Sequence, residues 1–212
     1  MKGILYKDFV LLIKTNRIYL ALIALFVGIS LISKKSQSML YYTFVFSAML
    51  SMGMIASDEK DKWDEYSCTL PVTRGACVSS KYLLNLILIS APAVLFSVFY
   101  CIIHGVSDFP FAVLASAVAV GLIANSVNMP VIYAFGYIVG RYVNLALVFV
   151  VFSALGALSF VTDGITGGSI SSAAEKLEQN QTVFAAAIIC ASALMFAASW
   201  IISASIYKKR SF

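Results

Sequence analysis

The feature that most constrains this chain is a series of long apolar runs containing no Asp, Glu, Lys or Arg. They fall at about 18–33, 39–57, 82–103, 111–139, 142–162 and 182–206. A helix needs roughly 20 apolar residues to cross the hydrocarbon of a bilayer. Inside hydrocarbon the backbone must satisfy its own hydrogen bonds, which a helix does. The runs therefore predict an all-α integral membrane protein of six transmembrane helices, forming one transmembrane domain over residues 1–212. The first run, at 16 residues, is short and is expected to extend into its Tyr-containing flanks or to tilt. The narrowest division lies between the fourth and fifth runs, where only Gly140, Arg141 and Tyr142 intervene. A single helix there would far overrun the bilayer, so two are expected. Composition agrees: 61% of the 212 residues are apolar and 12% charged, against about 25% charged in soluble domains. The lipid bilayer, rather than a core, buries this surface.

Charge then sets orientation. The net charge is +5, but no basic cluster is interleaved with aromatics, so a nucleic-acid partner is not expected. With the N-terminus inside, Lys2, Lys7, Lys14, Arg17, Lys60, Lys62, Arg74, Lys81, Arg141, Lys208, Lys209 and Arg210 are cytoplasmic. Lys34, Lys35 and Lys176 alone remain outside. Lys and Arg favour cytoplasmic loops, so both termini are expected on the cytoplasmic face of the membrane. The first run ends in Ser33-Lys34-Lys35, without a small-residue cleavage site, and is read as a retained span rather than a signal peptide.

Three pieces lie outside the runs. In residues 2–16, Leu5, Phe9 and Leu12 share one helical face and Lys7 and Lys14 another, a pattern suited to an interfacial amphipathic helix. Residues 58–81 form the longest cytoplasmic segment. It opens with Asp58, Glu59, Asp61, Asp64 and Glu65 around Trp63 and Tyr66, with Ser57 as a candidate N-cap. Pro71 breaks the chain, and Thr73 is placed to cap a further short helix leading through Lys81 into the third run. Five carboxylates at a membrane face that favours positive charge imply a protein partner with a basic or mixed groove. The third piece, 163–181, is expected outside and holds a possible short amphipathic helix. Its Asn180-Gln181-Thr182 matches a glycosylation sequon, a pattern frequent by chance.

The chemistry is sparse. Cys68, Cys77, Cys101 and Cys190 are scattered, and His104 is the single imidazole, so neither a zinc site nor a disulfide framework is expected. No phosphate loop, HExxH or GxSxG motif occurs, and no catalytic residue or metal ligand is expected. The runs hold no titratable carboxylate or amine, which argues against proton-coupled transport. They do hold Asn85, Asn144, Asn125, Ser126 and Asn128, with Pro130 and the mid-run Pro92. These residues suit interhelical hydrogen bonds or the lining of a substrate path. Gly136 and Gly140 form a GxxxG that suggests close helix approach, with a second copy as one partner.

Three stretches together resemble the permease subunits of ABC-2 type ATP-binding-cassette exporters: Met1-Lys-Gly-Ile-Leu-Tyr-Lys-Asp-Phe9; Asp58-Glu-Lys-Asp-Lys-Trp63-Asp-Glu-Tyr66 continuing through Leu70-Pro71-Val-Thr-Arg74; and Val78-Ser-Ser-Lys81-Tyr82-Leu. The resemblance covers essentially the whole chain. It extends to small bacterial permeases such as the membrane subunits of phenol-soluble modulin exporters. It implies a permease without enzymatic activity, driven by two copies of a cytoplasmic ATPase that hold the ATP and Mg2+, and paired with a second permease chain, identical or related. It also implies docking of that ATPase on 58–74, with Trp63 and Tyr66 as anchors beside the acids, Leu70, Pro71 and Arg74. The implied cargo is an amphipathic peptide or other membrane-active compound. A self-contained secondary transporter or channel, and a membrane anchor that recruits a cytoplasmic partner, are the alternative readings.

Overall fold

The computed structural model describes residues 2–32, 39–63, 66, 73–105, 109–164 and 181–209, and among them all regular structure is helical. In chain order the helices are α1 (Lys2–Thr15), α2 (Arg17–Ile32), α3 (Met39–Lys60), α4 (Arg74–His104), α5 (Phe111–Phe135), α6 (Tyr137–Gly164) and α7 (Gln181–Lys209). The apolar runs map in order onto α2 to α7, the last residues of the fourth run falling in α6. Among the described residues four segments are long and apolar enough to cross a membrane: Met39–Lys60, Gly75–His104, Phe111–Phe135 and Ala185–Lys208. α1 and α2 meet at 80° around Asn16 and make a fifth candidate if taken as one broken span. In α6, Tyr137–Ser153 is a shorter apolar helix. The outer segment expected to hold a short helix lies, over 165–180, outside the described residues.

Several boundaries differ from those expected. The division between the fourth and fifth runs falls at Gly136, not at 140–142. Gly136 has φ 86, a left-handed conformation that costs a residue without a Cβ little. Its N–H reaches the Ile132 carbonyl at 2.8 Å to close α5, and α6 begins at the next residue. Arg141 therefore lies inside α6. Ser57 does not cap a new helix; α3 continues to Lys60, and the Ser57 hydroxyl bonds back to the Gly53 carbonyl at 3.0 Å. Thr73 accepts from the Ala76 N–H at 3.3 Å and caps α4, which runs unbroken for 31 residues instead of starting as a short separate helix.

Side-chain pairings fix the helix directions. Phe44 lies against Gly121, and Glu59 against Gly136 and Tyr137, so α3 and α5 run parallel in constant register. Asn85 bonds Ser51, and Lys81 pairs with Asp58, so α4 runs antiparallel to α3. Trp200 bonds Ser79 while Lys208 approaches Gly75, so α7 runs antiparallel to α4. Phe152 stacks on Tyr42 at 4.6 Å while Tyr137 meets Glu59, so α6 runs antiparallel to α3. α5 packs most extensively on α7. Both carry small buried residues, Ala115, Ala117 and Ala119 on α5 and Ala185, Ser192, Ser199 and Ser203 on α7, which let backbones approach closely in membrane helices. Phe44, Phe96 and Tyr100 are fully buried at the centre of the main apolar cluster.

Candidate functional site

Four charged side chains gather at the end of the bundle where α1, α3 and α4 meet. α3 presents Asp58 in its last turn, α4 presents Lys81 two turns after its cap, and α1 presents Lys7 and Asp8. Lys81 Nζ lies 2.9 Å from Asp8 Oδ1 and also pairs with Asp58 Oδ2. Lys7 Nζ lies 2.6 Å from Asp58 Oδ1 and 3.2 Å from Asp8 Oδ1. The Asp8 side chain is 0% exposed, and those of Asp58 and Lys81 are each 8% exposed. Removing charges from water costs several kcal/mol per ion, about recovered only where each charge meets opposite partners in good geometry. Two cations shared between two carboxylates meet that condition and leave the cluster neutral.

Asp8 accounts for how α1 is seated. The sequence placed Leu5, Phe9 and Leu12 on its apolar face. The structure instead buries Ile4, Asp8 and Leu12, and Phe9 stays 49% exposed. Pairing with Lys81 rotates α1 so that a carboxylate faces inward. Neither Asp8 nor Lys81 was singled out as a site residue from sequence. The available signals were an acid in an otherwise basic, apolar segment and a lysine directly ahead of a long apolar run.

The end of α3 and the residues just after it are held from three sides. Lys7 Nζ sits 3.6 Å from the Trp63 ring centroid, a cation–π geometry, and Trp63 packs on Tyr66 with ring centroids 5.5 Å apart. Glu59 Oε2 accepts the Tyr137 N–H at 3.1 Å, placing a carboxylate at the N-terminus of α6, where the helix dipole favours it. Lys81 and Lys7 together fix Asp58. Of the residues expected at a partner interface, Asp58 thus turns inward, Glu59 faces α6, Asp61 is exposed, Trp63 is half-buried and Tyr66 is 57% exposed. Asp64, Glu65, Leu70 and Pro71 lie outside the described residues, and Arg74 opens α4.

From the ion-paired cluster a polar seam runs into the bundle between α3 and α4. Ser51 hydrogen-bonds Asn85 Oδ1, and Ser47 donates to the Leu88 carbonyl at 2.9 Å. Pro92, lacking an N–H, frees that same carbonyl from its helical bond. Ser47 of the neighbouring helix takes its place, so Pro92 serves helix pairing here. Pro92 also borders an apolar cavity of about 420 Å³ between α2 and α4, lined by Ile23, Val27, Leu95 and Phe99 among others. On α5, Gly121, Asn125 and Asn128 share the face turned to α3, and the register brings Asn128 to the level of Ser51. Asn125 donates to the Gly121 carbonyl at 3.0 Å, and Ser126 to the Leu122 carbonyl at 2.7 Å. Asn125 and Asn128 are each 1% exposed, yet Asn125 Oδ1, both Asn128 amide atoms and Asn85 Nδ2 have no hydrogen-bond partner among the described residues. Pro130 follows in the same helix. Gly136 and Gly140 make their close approach within the chain: a Cβ on Gly140 would lie 2.4 Å from Ile132 Cγ1. Among the described residues no three His, Cys, Asp or Glu side chains gather to hold a metal.

No curated protein matches the chain. A family model described as ABC-2 family transporter protein matches residues 3–208, which takes in α2 through α6 whole and all but the ends of α1 and α7. Members of that family are membrane transport subunits that usually work with a cytoplasmic ATPase. Apolar helices of spanning length, joined end to end in one helical bundle and matched over nearly the full sequence, leave one assignment: the chain belongs to the ABC-2 transporter family, as a multi-pass membrane permease subunit of an ABC transporter.

Proposed function

We propose that this chain is the six-span, non-catalytic permease half of a bacterial exporter, driven by a cytoplasmic ATPase that docks on residues 58–74. The observation that carries this reading is the bracing of the last turn of α3, from which the docking segment continues. Lys7, Lys81 and Tyr137 tie Asp58 and Glu59 of that turn to α1, α4 and α6, so a force applied there reaches three helices at once. Trp63 and Tyr66 are the docking anchors, because aromatics concentrate interface energy. Asp61, Asp64 and Glu65 steer the approach of a basic groove, with Leu70, Pro71 and Arg74 completing the contact. Asp58, turned inward, transmits the force, while Glu59, exposed and bonded to Tyr137, stands at the edge of the contact.

The working unit holds two ATPase copies, which bind the ATP and Mg2+, and two permease chains, identical or related. α1 lies in the cytoplasmic interface of the plasma membrane, and both termini are cytoplasmic. The cargo is an amphipathic peptide or similar membrane-active compound. Asn125, Asn128 and Ser126, beside Pro130, are the polar residues available to a path that opens between α3 and α5, and Pro92 stands at the α2–α4 cavity.

Co-purification of the tagged chain from its native membrane tests the reading. A stoichiometric ATPase with a phosphate loop is expected. Trp63→Ala with Tyr66→Ala should weaken its recovery by about 2–4 kcal/mol of binding energy, with membrane insertion unchanged. A chain that purifies alone and transports in liposomes overturns the ATPase-driven reading in favour of a self-contained transporter.

A further inference from the structure

Arg141, placed inside α6 by the break at Gly136, lines a cavity of about 350 Å³ between α2, α3 and α6, together with Tyr19, Gly53, Tyr137, Asn144 and Leu145. Two further cavities among the described residues, of about 420 and 300 Å³, are walled almost entirely by apolar side chains. This one brings together a guanidinium, two tyrosines and an asparagine. Arg141 forms no ion pair among the described residues, and Glu59, one helical turn away through Tyr137, spends its carboxylate on the Tyr137 N–H. Asn144, 3% exposed, adds a side-chain amide to the same wall. An arginine fork and tyrosine hydroxyls are the donors that recognise phosphate oxygens.

The cavity sits at the end of the bundle that carries Asn16 and Gly53, level with the junction of α1 and α2. Beyond Arg141 the same side of α6 continues as Leu145, 42% exposed, and Phe149, 73% exposed. A charged head at Arg141 with an alkyl chain along Leu145 and Phe149 therefore matches the gradient of the surface. We propose that this cavity binds a phosphate anion presented as the headgroup of an anionic membrane phospholipid.

The test is thermal unfolding of the purified full chain in neutral detergent, titrated with phosphatidylglycerol, phosphatidylcholine or inorganic phosphate. Phosphatidylglycerol should stabilise the chain at concentrations about tenfold below phosphatidylcholine, as a charge-assisted contact implies. Arg141→Gln should abolish that preference, and Arg141→Lys should keep part of it. An Arg141→Gln chain that retains the preference overturns the proposal. So does a wild-type chain with no preference, a result that stands even where the variant fails to fold. An equal shift from inorganic phosphate alone overturns the lipid as the source and leaves free phosphate as the ligand.

Discussion

At the scale of single residues, the cluster of Lys7, Asp8, Asp58 and Lys81 decides how the bundle end is built. Lys81 touches both carboxylates, and Asp8 Oδ2 already has no partner among the described residues. Lys81→Met would leave two carboxylates facing each other with only Lys7 between them. The expected cost is about 3–5 kcal/mol, the range for breaking a buried ion pair from one side. Asp8→Asn combined with Lys81→Met removes one charge of each sign, so the double change should cost clearly less than the sum of the singles. Thermal unfolding of the four chains in detergent measures this, and strict additivity would show that the two residues do not interact. The sequence presented these residues separately, as topology-setting lysines and scattered acids. Their meeting joins positions 73 residues apart, which no local pattern encodes. Asp58 was legible as important from its place in the acidic segment, but its inward direction depends on partners from two other helices.

At the scale of elements, six helices follow the six apolar runs closely because hydrocarbon length leaves few other choices. The ends of the elements were harder to read. Gly136 and Gly140 form the same motif whether they bring two helices together or reverse one helix against its predecessor. The structure uses them for the latter. A methyl on Gly140 would collide with Ile132 Cγ1 at 2.4 Å, so Gly140→Ala should destabilise the α5–α6 pair by about 1–3 kcal/mol, as overpacking does. Ile132→Ala in the same chain should recover part of that loss in a thermal unfolding series. An undiminished loss would place the cost elsewhere than this contact. Pro92 illustrates the same limit: the sequence shows that a carbonyl must be freed, but only the packing of α3 shows that Ser47 receives it.

At the scale of the whole molecule, helix direction is the strongest argument about topology. α3 and α5 run parallel, α4 and α7 antiparallel, and α4 opposes α3, so α5 and α7 share a direction. The ring contact of Tyr133 with Tyr207 at 5.6 Å agrees, since both lie near the ends of their helices. The chain must return between α5 and α7, and α6 makes that return along α3. In the six-span arrangement proposed above, α6 is then the fifth crossing, and its Tyr137–Ser153 stretch is a shorter apolar helix than the others. Together with the lysine and arginine distribution, it predicts which positions a membrane-impermeant thiol reagent reaches in intact cells. In a background with Cys68, Cys77, Cys101 and Cys190 replaced, Ser33→Cys and Ser169→Cys should label from outside, and Thr73→Cys only after the membrane is opened. Labelling at Ser33→Cys without Ser169→Cys would mean that α6 turns back before crossing, and α7 would then need a different start. Labelling of Thr73→Cys alone would invert the molecule and move residues 58–74, with any ATPase docking on them, to the wrong face.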